Sequence, residues 1–178
     1  MIKKASHSAR RLLLLRHAKS AWPEGVADHE RPLSDRGRKT APVIGAYMAR
    51  EKLVPDLALV SPAQRAQETW AIVRDVLPSG ILEREAPGIY EVPAENILSV
   101  IQAVTPGIQT LLMVGHNPGM EDLASLLTGK GDVEALDRMK DKFPAAGLAV
   151  IDFDLEDWGA VAARTGYLER FVTPRFLS

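Results

Sequence analysis

Two arginines and two histidines carry the chemistry of this sequence. Arg16 and His17, then Arg65, and then His116 each come shortly after a short apolar run. Arginine binds phosphate oxygens through paired hydrogen bonds and keeps its charge, so two arginines can neutralise a transferring phosphoryl group without a metal. A neutral imidazole can accept that group near pH 7, while a second one donates a hydrogen bond in its charged form or shuttles the proton. The four residues therefore favour phosphoryl transfer.

The apolar runs before these residues predict three short buried strands, at 12–15, 57–60 and 110–115. Runs of this length between polar residues are typical of strands covered on both faces in a mostly parallel sheet. Open α/β sheets bind ligands at the carboxyl ends of their strands. If right-handed crossovers join these strands, the two arginines and two histidines converge in one pocket.

The rest of the chain predicts a three-layer α/β/α domain with helices on both faces of the sheet and an antiparallel strand from the C-terminal segment. Predicted helices cover about 35–52 (kinked or restarted at Pro42), 62–77, 94–104 and 118–129. Ser61 and Asn117 are candidate N-caps. Further extended segments are predicted at 81–82, 148–153, 160–164 and 167–172. Residues 130–146 receive no assignment, and the strand order stays open.

Length and composition limit the protein class. The chain has 178 residues, so we expect one domain over 11–178 after a flexible tail at 1–10. With 22 Lys and Arg against 23 Asp and Glu, the net charge is −1. The chain therefore has no overall positive potential that would attract nucleic acid, and we expect no nucleic-acid partner. The absence of cysteine excludes thiolate catalysis and disulfides. The composition fits a cytoplasmic protein, the apolar runs are too short for a membrane span or signal peptide, and a monomer is the default expectation.

Four motifs, taken in order, resemble those of the histidine phosphatase superfamily, and specifically its small SixA-type phosphohistidine phosphatase branch with a phosphoglycerate mutase-like fold. The motifs are Arg16-His17-Ala18-Lys19-Ser20, Arg31-Pro32-Leu33-Ser34-Asp35-Arg36-Gly37, Ser61-Pro62-Ala63-Gln64-Arg65-Ala66 and Gly115-His116-Asn117-Pro118-Gly119. The resemblance runs from about residue 11 to the end. It implies that His17 is the phosphoryl-accepting nucleophile and that Arg16 and Arg65 form the phosphate pocket. It also implies that His116 is the second pocket histidine, with Ser20, Asn117 and Lys19 nearby.

Two histidines could instead ligate a metal. Zinc and related sites add cysteine or carboxylate ligands, whereas arginines accompany the histidines at these strand ends. We therefore expect no metal and no cofactor.

Several carboxylates are candidates for the general acid. Glu91 is the best-placed candidate, although Glu83, Glu85 and Glu95 leave the register open. An alkoxide leaving group needs a proton as it departs, whereas an imidazole leaves with a conjugate-acid pKa near neutrality. A weak acid would thus favour a P–N bond as the target.

The expected substrate is phosphohistidine on a protein. No long insertion is available between about residues 77 and 110 to roof the site, so an open pocket is expected, with Trp22 at its mouth. A small-molecule phosphomonoesterase is the alternative, and a non-catalytic phosphate-binding module is a further one. His29 is expected to be a solvated loop residue, and Trp70 and Trp158 to be packing residues.

Overall fold

One mixed sheet of seven strands organises the computed structural model, which describes residues 9–177. The strands are β1 (Ala9–Arg16), β2 (Leu57–Val60), β3 (Leu82–Glu85), β4 (Thr110–Gly115), β5 (Thr128–Gly131), β6 (Leu148–Asp154) and β7 (Gly166–Val172). Their order is β3-β2-β4-β1-β6-β7-β5. Only β6 among them runs antiparallel to its neighbours, β1 and β7. The predicted mostly parallel α/β fold with an antiparallel C-terminal strand is confirmed, and that strand lies inside the sheet.

Helices cover both faces of this sheet. They are α1 (Asp35–Arg50), α2 (Gln64–Arg74), α3 (Ala94–Gln102), α4 (Gly119–Leu127), α5 (Val133–Asp141) and α6 (Pro174–Leu177). Short 3-10 helices lie at Asp28–Glu30, Pro87–Ile89 and Trp158–Ala160. Among the described helices, none combines the length and apolar character that a membrane span requires.

The leucine run of β1 divides the core into two halves. Leu12 and Leu14 pack on one face with residues of α3, α4 and α5, and Leu13 and Leu15 pack on the other with α1 and α2. All four side chains are fully buried. Alternate residues of a strand point to opposite faces, so an unbroken apolar run requires a helix layer on each side. The same run therefore places β1 in the middle of the sheet.

Several boundaries differ from the predictions. Helices α2 and α4 are shorter than predicted, and β5 takes the residues predicted to end α4. Strand β1 begins at Ala9, inside the segment predicted to be a tail, while residues 1–8 lie outside the described part of the chain. Helix α1 continues through Pro42 without a restart. Residues 160–164 do not form a strand. The 3-10 turn at Trp158–Ala160 is held by a hydrogen bond from Trp158 Nε1 to Ile108 O at 2.6 Å, and it leads into a second turn in which Thr165 Oγ1 accepts from Ala162 N and donates to Ala162 O.

The unassigned segment 130–146 contains regular structure. Asp132 caps α5 by accepting a hydrogen bond from Ala135 N. Strand β5, with sequence Thr-Gly-Lys-Gly, has a composition typical of a turn. It is a strand because it pairs in parallel with β7. Gly129 also allows a close backbone approach, since a Cβ there would lie 2.2 Å from Arg164 O. Such close contacts depend on tertiary packing and leave no periodic signal.

Gly37 lets helix α1 pack directly on the loop that follows His17. A Cβ at position 37 would lie 2.1 Å from Lys19 O, which also accepts hydrogen bonds from Ser34 N and Ser34 Oγ. We predict that Gly37→Ala lowers the free energy of unfolding by roughly 1–3 kcal/mol, because the loop backbone must move. Urea unfolding measures this. Gly107→Ala is the control, since its Cβ would meet nothing within 4 Å. Equal unfolding midpoints for the two variants would contradict the prediction.

Candidate active site

The carboxyl ends of three neighbouring parallel strands meet at one cavity. Strand β4 lies between β1 and β2, so the residues after each strand are brought together. Arg16, His17, Arg65 and His116 all line this cavity, whose volume is about 1030 Å³. The structure therefore places the four residues that the strand ends singled out in one site.

His17 is buried and held in one orientation. Its backbone N donates to Gly115 O at 3.0 Å, and its Nδ1 lies 2.7 Å from Ala18 O. A carbonyl oxygen only accepts, so Nδ1 carries the proton and Nε2 keeps the lone pair. Burial lowers the pKa of His17 to about 4, and the positive charges of Arg65 and Arg16 add to this. At pH 7 the ring is neutral, with a nucleophilic Nε2.

His116 lies beside His17, with 5.1 Å between the ring centroids. Its Nε2 is 2.6 Å from Ser61 Oγ. Burial, followed by the charges of His17 and Arg65, lowers the pKa of His116 to about 3. Both imidazoles are thus neutral at pH 7, and a charged-donor role for His116 requires a bound anion to raise its pKa. Ser61 was predicted to cap helix α2, but the helix begins at Gln64 without a side-chain cap. The Ser61 hydroxyl positions the His116 ring.

Asp28 holds two arginines in the cavity. Arg65 Nη1 donates to Asp28 O at 2.7 Å and its Nη2 donates to Asp28 Oδ2 at 3.1 Å. Arg31 Nη1 donates to Asp28 Oδ1 at 2.9 Å, and the Tyr90 hydroxyl makes a short hydrogen bond to Oδ2. The Tyr90 hydrogen bond and the two guanidinium groups hold the pKa of Asp28 well below its usual range. Asp28 and Tyr90 were not predicted as site residues, because the short 3-10 turns that hold them carry no periodic sequence signal.

Arg31 is a third arginine of the site, and like Arg65 it is buried. Its Nη2 donates to Ser20 Oγ at 2.5 Å, and its Nε donates to Ala21 O at 3.0 Å. The guanidinium carbon lies 3.2 Å from the centroid of the Trp22 ring. Trp22 is 78% exposed and lies at the cavity mouth. The motif that begins at Arg31 contained the signal for this residue, although its position in the cavity depends on the fold.

Arg16 and Asn117 bind the loop after α5 through hydrogen bonds to one backbone carbonyl. Arg16 Nη1 and Asn117 Nδ2 both donate to Phe143 O, at 3.1 and 2.9 Å. Asn117 Oδ1 accepts from Glu121 N at 3.2 Å, near the start of α4. Burial lowers the pKa of Arg16. Arg16 Nε and His116 Nδ1 are buried without a hydrogen-bond partner among residues 9–177. A buried polar atom without a hydrogen-bond partner lowers the stability of the fold, and such atoms in native proteins often have a functional role.

Glu91 is the one candidate acid, of the four named from sequence, that lines the cavity. Its Oε1 lies 3.8 Å from Arg65 Nη2, and its side chain is 56% exposed. Burial of part of the group and the charge of Asp28 raise the pKa of Glu91, against the opposing effect of Arg65. Glu83 is occupied elsewhere by Trp70 and Arg74. Within residues 9–177, no group of three or more His, Cys, Asp or Glu side chains has a metal-binding arrangement.

Comparisons with known proteins show which sequences and folds this chain resembles. A sequence model of the histidine phosphatase superfamily (branch 1) matches residues 12–88. An uncharacterized protein of Mycobacterium tuberculosis is 34% identical over 163 residues, which span 90% of this chain and all of that protein.

Two solved structures extend the comparison. SixA from Agrobacterium tumefaciens superposes with a TM-score of 0.79 and 32% identity, covering 93% of this chain and 98% of that one. A structure described as a candidate alpha-ribazole-5'-P phosphatase from Escherichia coli has a TM-score of 0.65 and 19% identity, with coverage of 93% and 98%. The second likeness concerns the fold alone.

The neutral state of both pocket histidines can be measured directly. We predict that the rings of His17 and His116 remain mostly neutral at pH 5.5, because their lowered pKa values lie near 4 and 3. An ordinary histidine titrates near 6.5 and is mostly charged at that pH. Ring nitrogen chemical shifts from a 15N-labelled sample report the charge. Arg65→Gln should move both midpoints upward, since it removes a nearby positive charge. A midpoint near 6.5 for either ring in the native protein would refute this electrostatic description.

Proposed function

The chain belongs to the histidine phosphatase superfamily and is a phosphatase of the SixA type; from this premise we propose that it hydrolyses phosphohistidine in proteins through a phosphoryl intermediate on His17. The observation that carries the proposal is the state of His17. Its ring is buried, neutral and fixed through Nδ1 to Ala18, which leaves Nε2 as the reactive atom. This is the form of histidine that attacks phosphorus.

Two transfers complete the proposed reaction. In the first, the lone pair of His17 Nε2 forms a bond to phosphorus while the P–N bond of the substrate breaks, and the leaving imidazole keeps that electron pair. In the second, a water oxygen forms a bond to the phosphorus of phospho-His17 while the P–Nε2 bond breaks and its electron pair returns to Nε2. The water protons leave with inorganic phosphate, and the ring, which keeps its proton on Nδ1, is neutral again. Arg16 and Arg65 hold the phosphoryl oxygens throughout, because charge on those oxygens dominates the transition state. No step uses a metal.

His116 and Glu91 have separate roles in this proposal. The His116 ring lies beside His17, so it donates a hydrogen bond to a phosphoryl oxygen once the bound dianion favours its protonation. Glu91 has a raised pKa and lies at the cavity, which suits a carboxylic acid that protonates a leaving group. An alkoxide requires this proton, and an imidazole depends on it less.

A protein substrate is supported by the shape of the site. The cavity is several times larger than a phosphoryl group, and Trp22, Lys19 and Glu91 on its wall are exposed. Residues 75–109 form β3, a 3-10 turn and α3, with no long insertion to enclose a metabolite. SixA from Agrobacterium tumefaciens, the similar protein, is described as a candidate phosphohistidine phosphatase. Hydrolysis of small phosphate esters is the second proposal, and the raised pKa of Glu91 is what favours it.

The covalent route predicts a phosphoenzyme that depends on His17. Incubation with 32P-labelled phosphohistidine protein and rapid quenching should trap an acid-labile, base-stable label in the native protein. His17→Ala should lose this label and at least 10³-fold of kcat, because no other group replaces the nucleophile. His29→Ala is the control and should behave as native, since His29 is exposed and does not line the cavity.

Each of these assays is run with and without EDTA. Loss of native turnover in EDTA, or a phosphoenzyme that persists in His17→Ala, would reject this mechanism. Binding of phosphate or vanadate without hydrolysis of any substrate would instead support a phosphate-binding module.

The role of Glu91 predicts a difference between leaving groups. Glu91→Gln should lower kcat for a phosphate monoester by roughly 10²-fold or more, the usual contribution of a general acid. It should lower kcat for phosphohistidine far less, because imidazole leaves without a full proton. Glu95→Gln is the matched control, since Glu95 is exposed and lies outside the cavity. Equal losses on both substrates would remove Glu91 from the role of acid.

A further inference from the structure

The outer wall of the cavity is strongly basic. Beyond the two histidines and the three inner arginines Arg16, Arg31 and Arg65, five cationic side chains line it, and we call this set the basic wall: Lys19, Arg36, Arg138, Lys142 and Arg175. They come from the loop after β1, from α1, from α5 and the residue that follows it, and from α6. Asp141 is the acidic residue among them. Because the whole chain has a net charge of −1, this concentration of positive charge is local.

The inner phosphate pocket does not account for the basic wall. Arg16, Arg31 and Arg65 already provide three cations beside the histidines. Four of the five wall residues are exposed, and Arg138 is half-buried, whereas Arg65 and Arg31 are buried. The wall therefore faces a part of the ligand that lies farther out than the phosphoryl group.

Two exposed aromatic side chains flank the cavity. Trp22 is 78% exposed and Phe176 is 57% exposed, and both line the cavity. Each has an arginine over its ring, with Arg31 3.2 Å from one centroid and Arg138 4.1 Å from the other. Aromatic residues and arginine are enriched in protein interfaces. The two aromatic side chains and their arginines therefore have the composition of a protein-binding surface.

The dimensions and the composition of the site point to the same kind of ligand. A volume of about 1030 Å³ lies at the upper limit of small-molecule pockets, which are mostly apolar and cover most of their ligand. Here the outer wall is charged and exposed, so a small metabolite would leave much of it in water. A convex segment of another protein can cover it.

We propose that the basic wall docks an acidic surface of the phosphoprotein, next to its phosphohistidine. This inference deepens the proposed function and rests on its assignment of a protein substrate. Complementary charge at the rim accelerates association and disfavours partners of the wrong charge, and salt screens it. The wall therefore selects which phosphohistidine reaches His17, and it leaves the chemical step unchanged.

A double charge reversal, Arg36→Glu with Lys142→Glu, tests the docking role. The probes are a phosphohistidine peptide flanked by Asp and Glu, the same peptide flanked by Ser and Gly, and free phosphohistidine. We expect kcat/KM for the acidic peptide to fall at least 10-fold in 50 mM salt, through KM, and to approach the native value in 0.5 M salt. The other two probes should change less than 2-fold.

The matched control is Lys39→Glu with Lys140→Glu. These lysines are exposed on α1 and α5, outside the cavity lining, and their reversal changes the net charge by the same amount. The control should retain native kinetics on all three probes. An equal loss in both double variants, or an equal loss with free phosphohistidine, would overturn the docking role.

Binding in the His17→Ala background separates this inference from the proposed function. There, dissociation constants for the three probes and for inorganic pyrophosphate are measured without turnover. Tenfold weaker binding of the acidic peptide alone supports docking, even if the native protein proves inactive on phosphohistidine. Weaker binding of pyrophosphate, with the acidic peptide unaffected, would assign the wall to a small polyanion and overturn the proposal.

Discussion

The site depends on the parallel pairing of β1 with β4. This pairing aligns Arg16 with Gly115, so the next residues along the two strands are His17 and His116, and their rings lie 5.1 Å apart. The alignment is held by the core, since Leu12 to Leu15 are buried on both faces of the sheet. A slip of one residue would move Arg11 or Arg16, which flank the leucines and are partly exposed, into the buried part of the strand, so burial and site geometry are specified together.

Electrostatics sets the chemical state of the paired rings. Burial and the neighbouring guanidinium groups hold His17 and His116 neutral, which makes one ring a nucleophile and lets a bound anion control the other. The arginines would repel one another without a counter-charge. Asp28 supplies it through hydrogen bonds to Arg31 and Arg65, and the Tyr90 hydroxyl completes the set. A phosphoryl group thus meets cations that are already oriented, which is the usual way that enzymes stabilise such charge.

Local sequence patterns predicted the buried strands and the residues that follow them. The leucine run and the strand ends predicted the sheet edge and the convergence of Arg16, His17, Arg65 and His116, because buried parallel strands have a distinctive composition. Strand order could not be predicted, since it depends on which crossovers pack. Strand β5 was missed because it forms by pairing with β7, which is distant in sequence, and its own composition is typical of a turn. Asp28 and Tyr90 were missed because their partners are brought together only in the folded chain.

The proposed chemistry depends on the orientation of the His17 ring. The position of the phosphorus on that ring tests the orientation most directly. Because Nδ1 is tied to Ala18 O at 2.7 Å, the phosphoenzyme must carry its phosphorus on Nε2. Phosphorus–nitrogen couplings in a 15N-histidine-labelled phosphoenzyme, recorded at alkaline pH where the P–N bond survives, identify the bonded nitrogen. The account predicts phosphorus on Nε2 of His17 alone. Phosphorus on Nδ1, on His116 or on a hydroxyl group would contradict it.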